Sequence, residues 1–146
     1  MRINIASFIR RQFILYYQSM SRTSDERSDV LSLDEIFDVL VSPRRRKALY
    51  VLRERSEPVD VDDLAGAVAT EMGVDADRQG RIAVSLDHTH LPKLEQARLV
   101  DYDRETGIVE LNTVPRQFER YLRYAAEDDE RARGNGAADP SDAKAQ

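Results

Sequence analysis

A mostly helical α+β fold, closed by a β-hairpin and one further helix, is predicted by three features of this 146-residue chain. Two short helical segments with clear N-terminal caps open it. A long helical pattern, DRQGRIAVSLDHTHLPKLEQARLV over residues 77–100, then passes directly into LVDYDRETGIVELN, where apolar and polar residues alternate around a glycine turn. An amphipathic run starting at Pro115 completes the pattern. A helix with a polar face followed at once by a two-stranded ribbon is the plan of a winged helix-turn-helix, the hairpin being the wing.

Each element has a local cause. Ser32 and Glu35 have the spacing of a capping box, so the first helix should start there, with Leu33, Ile36, Phe37 and Leu40 on one face. Ser42-Pro43 restarts a helix, because Ser caps and Pro at the first position has no N–H to waste. Val59 and Val61 flank Asp60 in a β-like segment, after which Asp62 or Asp63 should cap a third helix that Gly73 stops. Gly66 in that helix offers room for a close neighbour. The fourth helix opens near Asp77. Pro92 within it should produce a kink, or a second short helix with Pro92 near its start. Gly107 falls in the hairpin turn, and Phe118, Tyr121, Leu122, Ala125 and Ala126 make the apolar side of the last helix.

The expected organisation is a single domain over residues 30–126. Residues 1–29 read as an N-terminal extension outside the fold, with Met20 as an alternative start. The apolar run Phe13–Tyr17 is too short to span a bilayer, and Arg10-Arg11 interrupts any signal-peptide core. Residues 127–146 are polar and read as a disordered acidic tail. Cysteine is absent, which excludes disulfides, thiolate metal sites and a cysteine nucleophile, and fits a cytoplasmic protein.

Charge bears on mechanism. The chain has 22 basic and 27 acidic residues, for a net −5, and only Lys47, Lys93 and Lys144 among the bases are Lys. Residues 1–24 hold four Arg and no acid, so the remainder is more acidic than the whole. Such an Asp-rich, Lys-poor surface resembles that of cytosolic proteins from extreme halophiles; an ordinary acidic protein is the plainer alternative. Phosphate binding by counterion release weakens steeply with salt, so a DNA binder working in brine must lean on shape and base-edge contacts.

On a wheel of 100° per residue the fourth helix places Ala83, Leu86, His90, Leu94 and Ala97 together, with Arg81, Ser85, His88 and Pro92 opposite. Arg78 and Thr89 lie beside that polar stripe. Arg can grip a guanine edge, and Ser and His can donate or accept; a merely solvated face is the bland reading. Asp87-His88-x-His90 has three metal-binding side chains, but residues two apart face opposite sides of a helix, so no metal site is expected. Arg44, Arg45 and Arg46 are phosphate candidates at a helix start, or equally partners for Asp34, Asp38 or Glu54. Arg104 is the lone cation of a wing that also carries Asp101, Asp103 and Glu105.

The runs SPRRRKALYVL, PVDVDDLA and HLPKLEQARLVDYDRETGIVEL resemble ArsR-like winged-helix regulators. His90-Leu91, Leu94, Ala97 and Leu99-Val100 fall where that superfamily has its HL..L..AGLV block. From about Leu31 to Asn112 the chain looks more closely like a haloarchaeal winged-helix family described as a domain of unknown function. The resemblance implies a dimeric transcriptional regulator. The chain departs from it in lacking cysteines for metal sensing and in carrying Arg98 where Gly is usual.

The expectation is therefore a non-enzymatic, DNA-binding transcriptional regulator without a cofactor. Its recognition helix, about 77–91, would enter the major groove of double-stranded DNA, and the chain would form a homodimer through Pro115–Ala126. The alternative is a winged-helix module that binds a protein partner and not DNA, motivated by the acidic wing and by Val84 and Leu91 as an exposed flank.

Overall fold

The computed structural model describes residues 30–136. The elements run α1 (Leu33–Leu40), α2 (Pro43–Arg55), β1 (Val59–Asp60), α3 (Val61–Met72), a 3₁₀ turn (Ala76–Arg78), α4 (Gln79–Ser85), a π-helical turn (Leu86–His90), α5 (Leu91–Gln96), β2 (Val100–Asp103), β3 (Ile108–Leu111) and α6 (Arg116–Gly136). This is the mostly helical α+β arrangement expected, with one strand more than the hairpin alone. The three strands form an antiparallel sheet in the order β1-β3-β2. Within the hairpin Val100 faces Leu111 and Tyr102 faces Val109; on its other edge β3 sets the same Val109 opposite Val59.

The caps behave as local chemistry dictates. Ser32 and Glu35 form the reciprocal capping box, at 3.1 and 2.7 Å. Ser42 caps α2 with Pro43 in its first turn. Gly73 ends α3 in the left-handed conformation, φ 64°, its N–H reaching back to Ala69 and Thr70. The cap at the start of α3 differs from expectation. Asp60, at the end of β1, accepts from the Asp62 N–H at 2.8 Å, because Val61 turns into the helix while its own N–H donates to Gly107 O of the hairpin. Gly66 does allow close approach, since an added Cβ would sit 3.1 Å from the Gln79 side chain.

The core lies between α1–α3, the segment 79–96, the sheet and α6. Its fully buried side chains include Ile36, Leu49, Leu52, Leu64, Ile82, Leu86, Leu94 and Phe118. Burial of this many large apolar groups is the main stabilising term for a domain without cross-links. On α1 the buried face is Ile36, Val39 and Leu40, while Leu33 and Phe37 stay exposed. The expected stripe was thus rotated by one row. Arg98 takes φ 60°, the left-handed backbone that the Gly of the resembled block would occupy without strain. There the Leu99 N–H reaches Leu94 O, ending α5 and aiming β2.

The chain past Ala126 corrects the sequence reading. Residues 127–136 continue α6 and are not a disordered tail. Asp129 receives two bonds from Arg46, at 3.0 and 3.1 Å, and one from the Tyr50 hydroxyl at 2.9 Å. Arg133 donates to the Glu71 carbonyl. Polar anchors hold this stretch, so hydropathy patterning could not announce it. The expectations for residues 1–29, including the start at Met20, and for 137–146 lie outside the described residues. Among the described residues no helix is long and apolar enough to cross a membrane.

Candidate nucleic-acid interface

The segment 76–96 is one helical rod with a phase change in the middle. The Leu91 N–H bonds to Leu86 O, five residues back, and Pro92 follows in the first turn of α5. Pro has no N–H to give to the residue four back, so a widened turn is the low-cost way past it. One extra residue in a turn shifts everything downstream by about 100°. Leu91, which a continuous α-helix places on the polar side, is consequently fully buried. The expected exposed flank of Val84 and Leu91 is corrected to Val84 alone, which is 59% exposed.

The exposed face that results carries Arg78, Arg81, Val84, His88 and Thr89. Behind it Ile82, Leu86, Leu91 and Leu94 anchor the rod in the core. Four of the five expected helix residues stay on the surface. Ser85 is half-buried instead: its hydroxyl donates to Ile82 O and accepts from Arg44 at 3.0 Å. Ser85 therefore positions Arg44 next to the face and does not itself reach outward. Val84 was expected to be exposed, as the flank for a protein partner, and the structure sets it among the polar residues of this face.

The three consecutive arginines have three different fates. Arg45 is only 6% exposed and donates to Val39 O at 2.9 Å and Asp38 O at 2.7 Å, with a third bond to His90 Nδ1 at 3.2 Å. Arg46 is held by Asp129 and by Leu40 O. Arg45 is thus engaged at the α1–α2 corner and Arg46 between that corner and α6; of the three, Arg44 borders the face. The wing cation Arg104 leans over the Tyr102 ring, 5.1 Å from its centroid, and pairs with Glu95 at 3.3 Å. Tyr102 in turn donates to Asp87 at 2.8 Å; burial and this carboxylate push its hydroxyl up to about 12.

His90 turns inward, as its place on the wheel suggested. An arginine can only donate, so His90 Nδ1 accepts and the neutral ring carries its proton on Nε2. Burial, then Arg45 and Arg44, hold its pKa below the ordinary 6.5. In the unfolded chain the imidazole therefore takes up its proton first as pH falls. Its contribution to stability is complete above about pH 6.5 and is lost as pH drops through the lower folded value. Urea denaturation between about pH 7 and pH 5 should show a stability loss that His90→Gln reduces. Equal losses in the two proteins would argue against this assignment. His88 lies 3.5 Å from Asp87 on the outer side, so the two histidines point apart. Among the described residues no group of three ligating side chains is placed to hold a metal ion.

A family model described as a domain of unknown function (DUF7344) matches residues 37–110, half of the chain, which spans α1 through β3 and includes this face. The chain belongs to that family. No curated protein and no solved structure matches it.

Proposed function

We infer that this member of the DUF7344 family is a DNA-binding transcriptional regulator of the winged helix-turn-helix type, related to ArsR-like regulators. The segment 77–91 enters the major groove, and the protein acts in the cytoplasm of a halophilic archaeon. The observation that carries this reading is the division of the rod 76–96 into an inner side built on buried Ile82, Leu86, Leu91 and Leu94 and an exposed side bearing Arg78, Arg81, Val84, His88 and Thr89. Arg81 suits the O6 and N7 acceptors of guanine, Val84 the thymine methyl group, and His88 and Thr89 either donors or acceptors on base edges. Arg44, fixed by Ser85, is the phosphate contact best placed beside that helix. The wing contributes little attraction, because Arg104 is already engaged and its neighbours are acids. A net charge of −5 suits a protein whose medium already screens phosphates.

Anisotropy titration of genomic fragments in concentrated KCl tests this. Arg81→Ala should weaken specific binding by about 1–3 kcal/mol and relax base preference at one position. Unaltered binding by the Arg81→Ala/His88→Ala double variant would remove this helix as the reader. The acidic wing favours a second reading, a winged-helix module that docks a protein. No DNA retention at any salt, with a partner captured stoichiometrically, would support it.

A further inference from the structure

The widened turn is the part of the rod that its own backbone holds least well. The Leu91 N–H reaches past Asp87 to Leu86 O, and Pro92 has no N–H. These are the two residues whose amides could close on the Asp87 carbonyl in an α- or π-turn, and neither does so. His88 and Thr89, two residues of the candidate face, lie inside this turn. Slipping back to an ordinary α-turn would rotate one half of the rod against the other by about 100°. The face would then no longer be one surface.

Side chains from outside the rod grip the turn on both flanks. From α2, Arg44 reaches Ser85 at 3.0 Å and Arg45 reaches His90 at 3.2 Å. From the hairpin, the Tyr102 hydroxyl donates to Asp87 Oδ1 at 2.8 Å. Tyr102 is only 5% exposed and sits opposite Val109 in the sheet, so its ring cannot follow a wandering turn. Over that ring lies the Arg104 guanidinium, which pairs with Glu95 of α5. The hairpin thus meets the rod at Asp87, ahead of Pro92, and again at Glu95, beyond it. A wing too acidic to attract phosphate is well built for this other task.

We propose that the wing acts as a brace on the reading rod, and that Tyr102, through Asp87, is the positioning residue that fixes where His88 and Thr89 stand. Tyr102 itself touches no DNA. The brace deepens the regulator reading and rests on it for its purpose, while its hold on the turn is independent of any DNA.

Tyr102→Phe removes the hydroxyl and leaves the buried ring in place, so the fold survives. In the full-length protein without DNA, amide exchange at Leu91 should speed up about tenfold, the effect of losing one hydrogen bond to a charged group, without the same change across α2. In anisotropy titrations, preference for the best genomic fragment over random DNA should fall by a similar factor. The salt slope should stay as in the wild type, because no phosphate contact is lost. Asp87→Ala should copy both effects. Asp87→Asn keeps an oxygen to accept the Tyr102 hydroxyl and should behave like the wild type. Unchanged exchange at Leu91 in Tyr102→Phe overturns the brace, and so does a loss of stability with base preference intact. A flatter salt slope in Tyr102→Phe also overturns it, since the wing would then be a phosphate contact. A wild type that binds no DNA at any salt removes the regulator reading instead, and exchange at Leu91 still decides whether Tyr102 holds the turn.

Discussion

Phe118→Ala is expected to destabilise the domain by about 3–5 kcal/mol, the range for removing a buried aromatic ring and leaving a cavity. Phe118 is completely buried, and with Leu122 one turn later it supplies the fully buried part of α6. Besides Tyr121, whose ring meets Phe37 edge-on, α6 is tied by polar side chains: Glu119 to Arg53, Asp129 to Arg46 and Tyr50, Arg133 to Glu71. The Arg53–Glu119 and Arg133–Glu71 pairs are well exposed and contribute little singly, which leaves the half-buried Asp129 cluster too small a tie to replace the apolar anchor. Urea unfolding followed by helical circular dichroism should give the full loss. A change below about 1 kcal/mol would mean that α6 is docked loosely and that the core closes without it.

Arg45→Ala should cost about 2–4 kcal/mol, although it removes a surface-type residue from a basic run. Its guanidinium lies under the α1–α2 corner and satisfies the Asp38 and Val39 carbonyls at the end of α1, where a helix has no internal donors left. Truncation leaves those acceptors buried without partners and opens space beside His90. Arg45→Met fills the space but donates nothing, so it should recover only part of the loss. The imidazole gives an independent reading: without Arg45, one of the causes depressing the His90 pKa is gone, and its titration followed by NMR should move up. An unshifted His90 would show that the Arg45 contact is not made in solution.

Much of the fold was legible because its signals are local. Ser32-x-x-Glu35, Ser42-Pro43, Gly73 and Gly107 each solve a backbone problem within a few residues, and the structure uses them as read. The candidate face was legible for a similar reason: Arg78, Arg81, His88 and Thr89 precede or lie within the widened turn, so their helical phase is still the ordinary one. Errors began where phase was lost. Leu91 was misplaced because the π-helical turn inserts one residue ahead of Pro92, and no propensity distinguishes that from a kink.

The arginines mark the limit most sharply. Arg44, Arg45 and Arg46 are identical in chemistry and adjacent in sequence, yet each points about 100° from the last. One meets Ser85, one the end of α1 and one Asp129, 83 positions away in the chain. By itself the sequence determined the order of helices and strands, where most of them begin, and which side of the fourth helix is polar, since these follow from dihedral preferences and periodicity over a few residues. Only the tertiary structure decided which cations are consumed inside, that α6 runs on to Gly136, and which apolar stripe of α1 stays uncovered. Those outcomes depend on side chains that meet only after the backbone has folded, when burying a charge requires a partner that local sequence does not name.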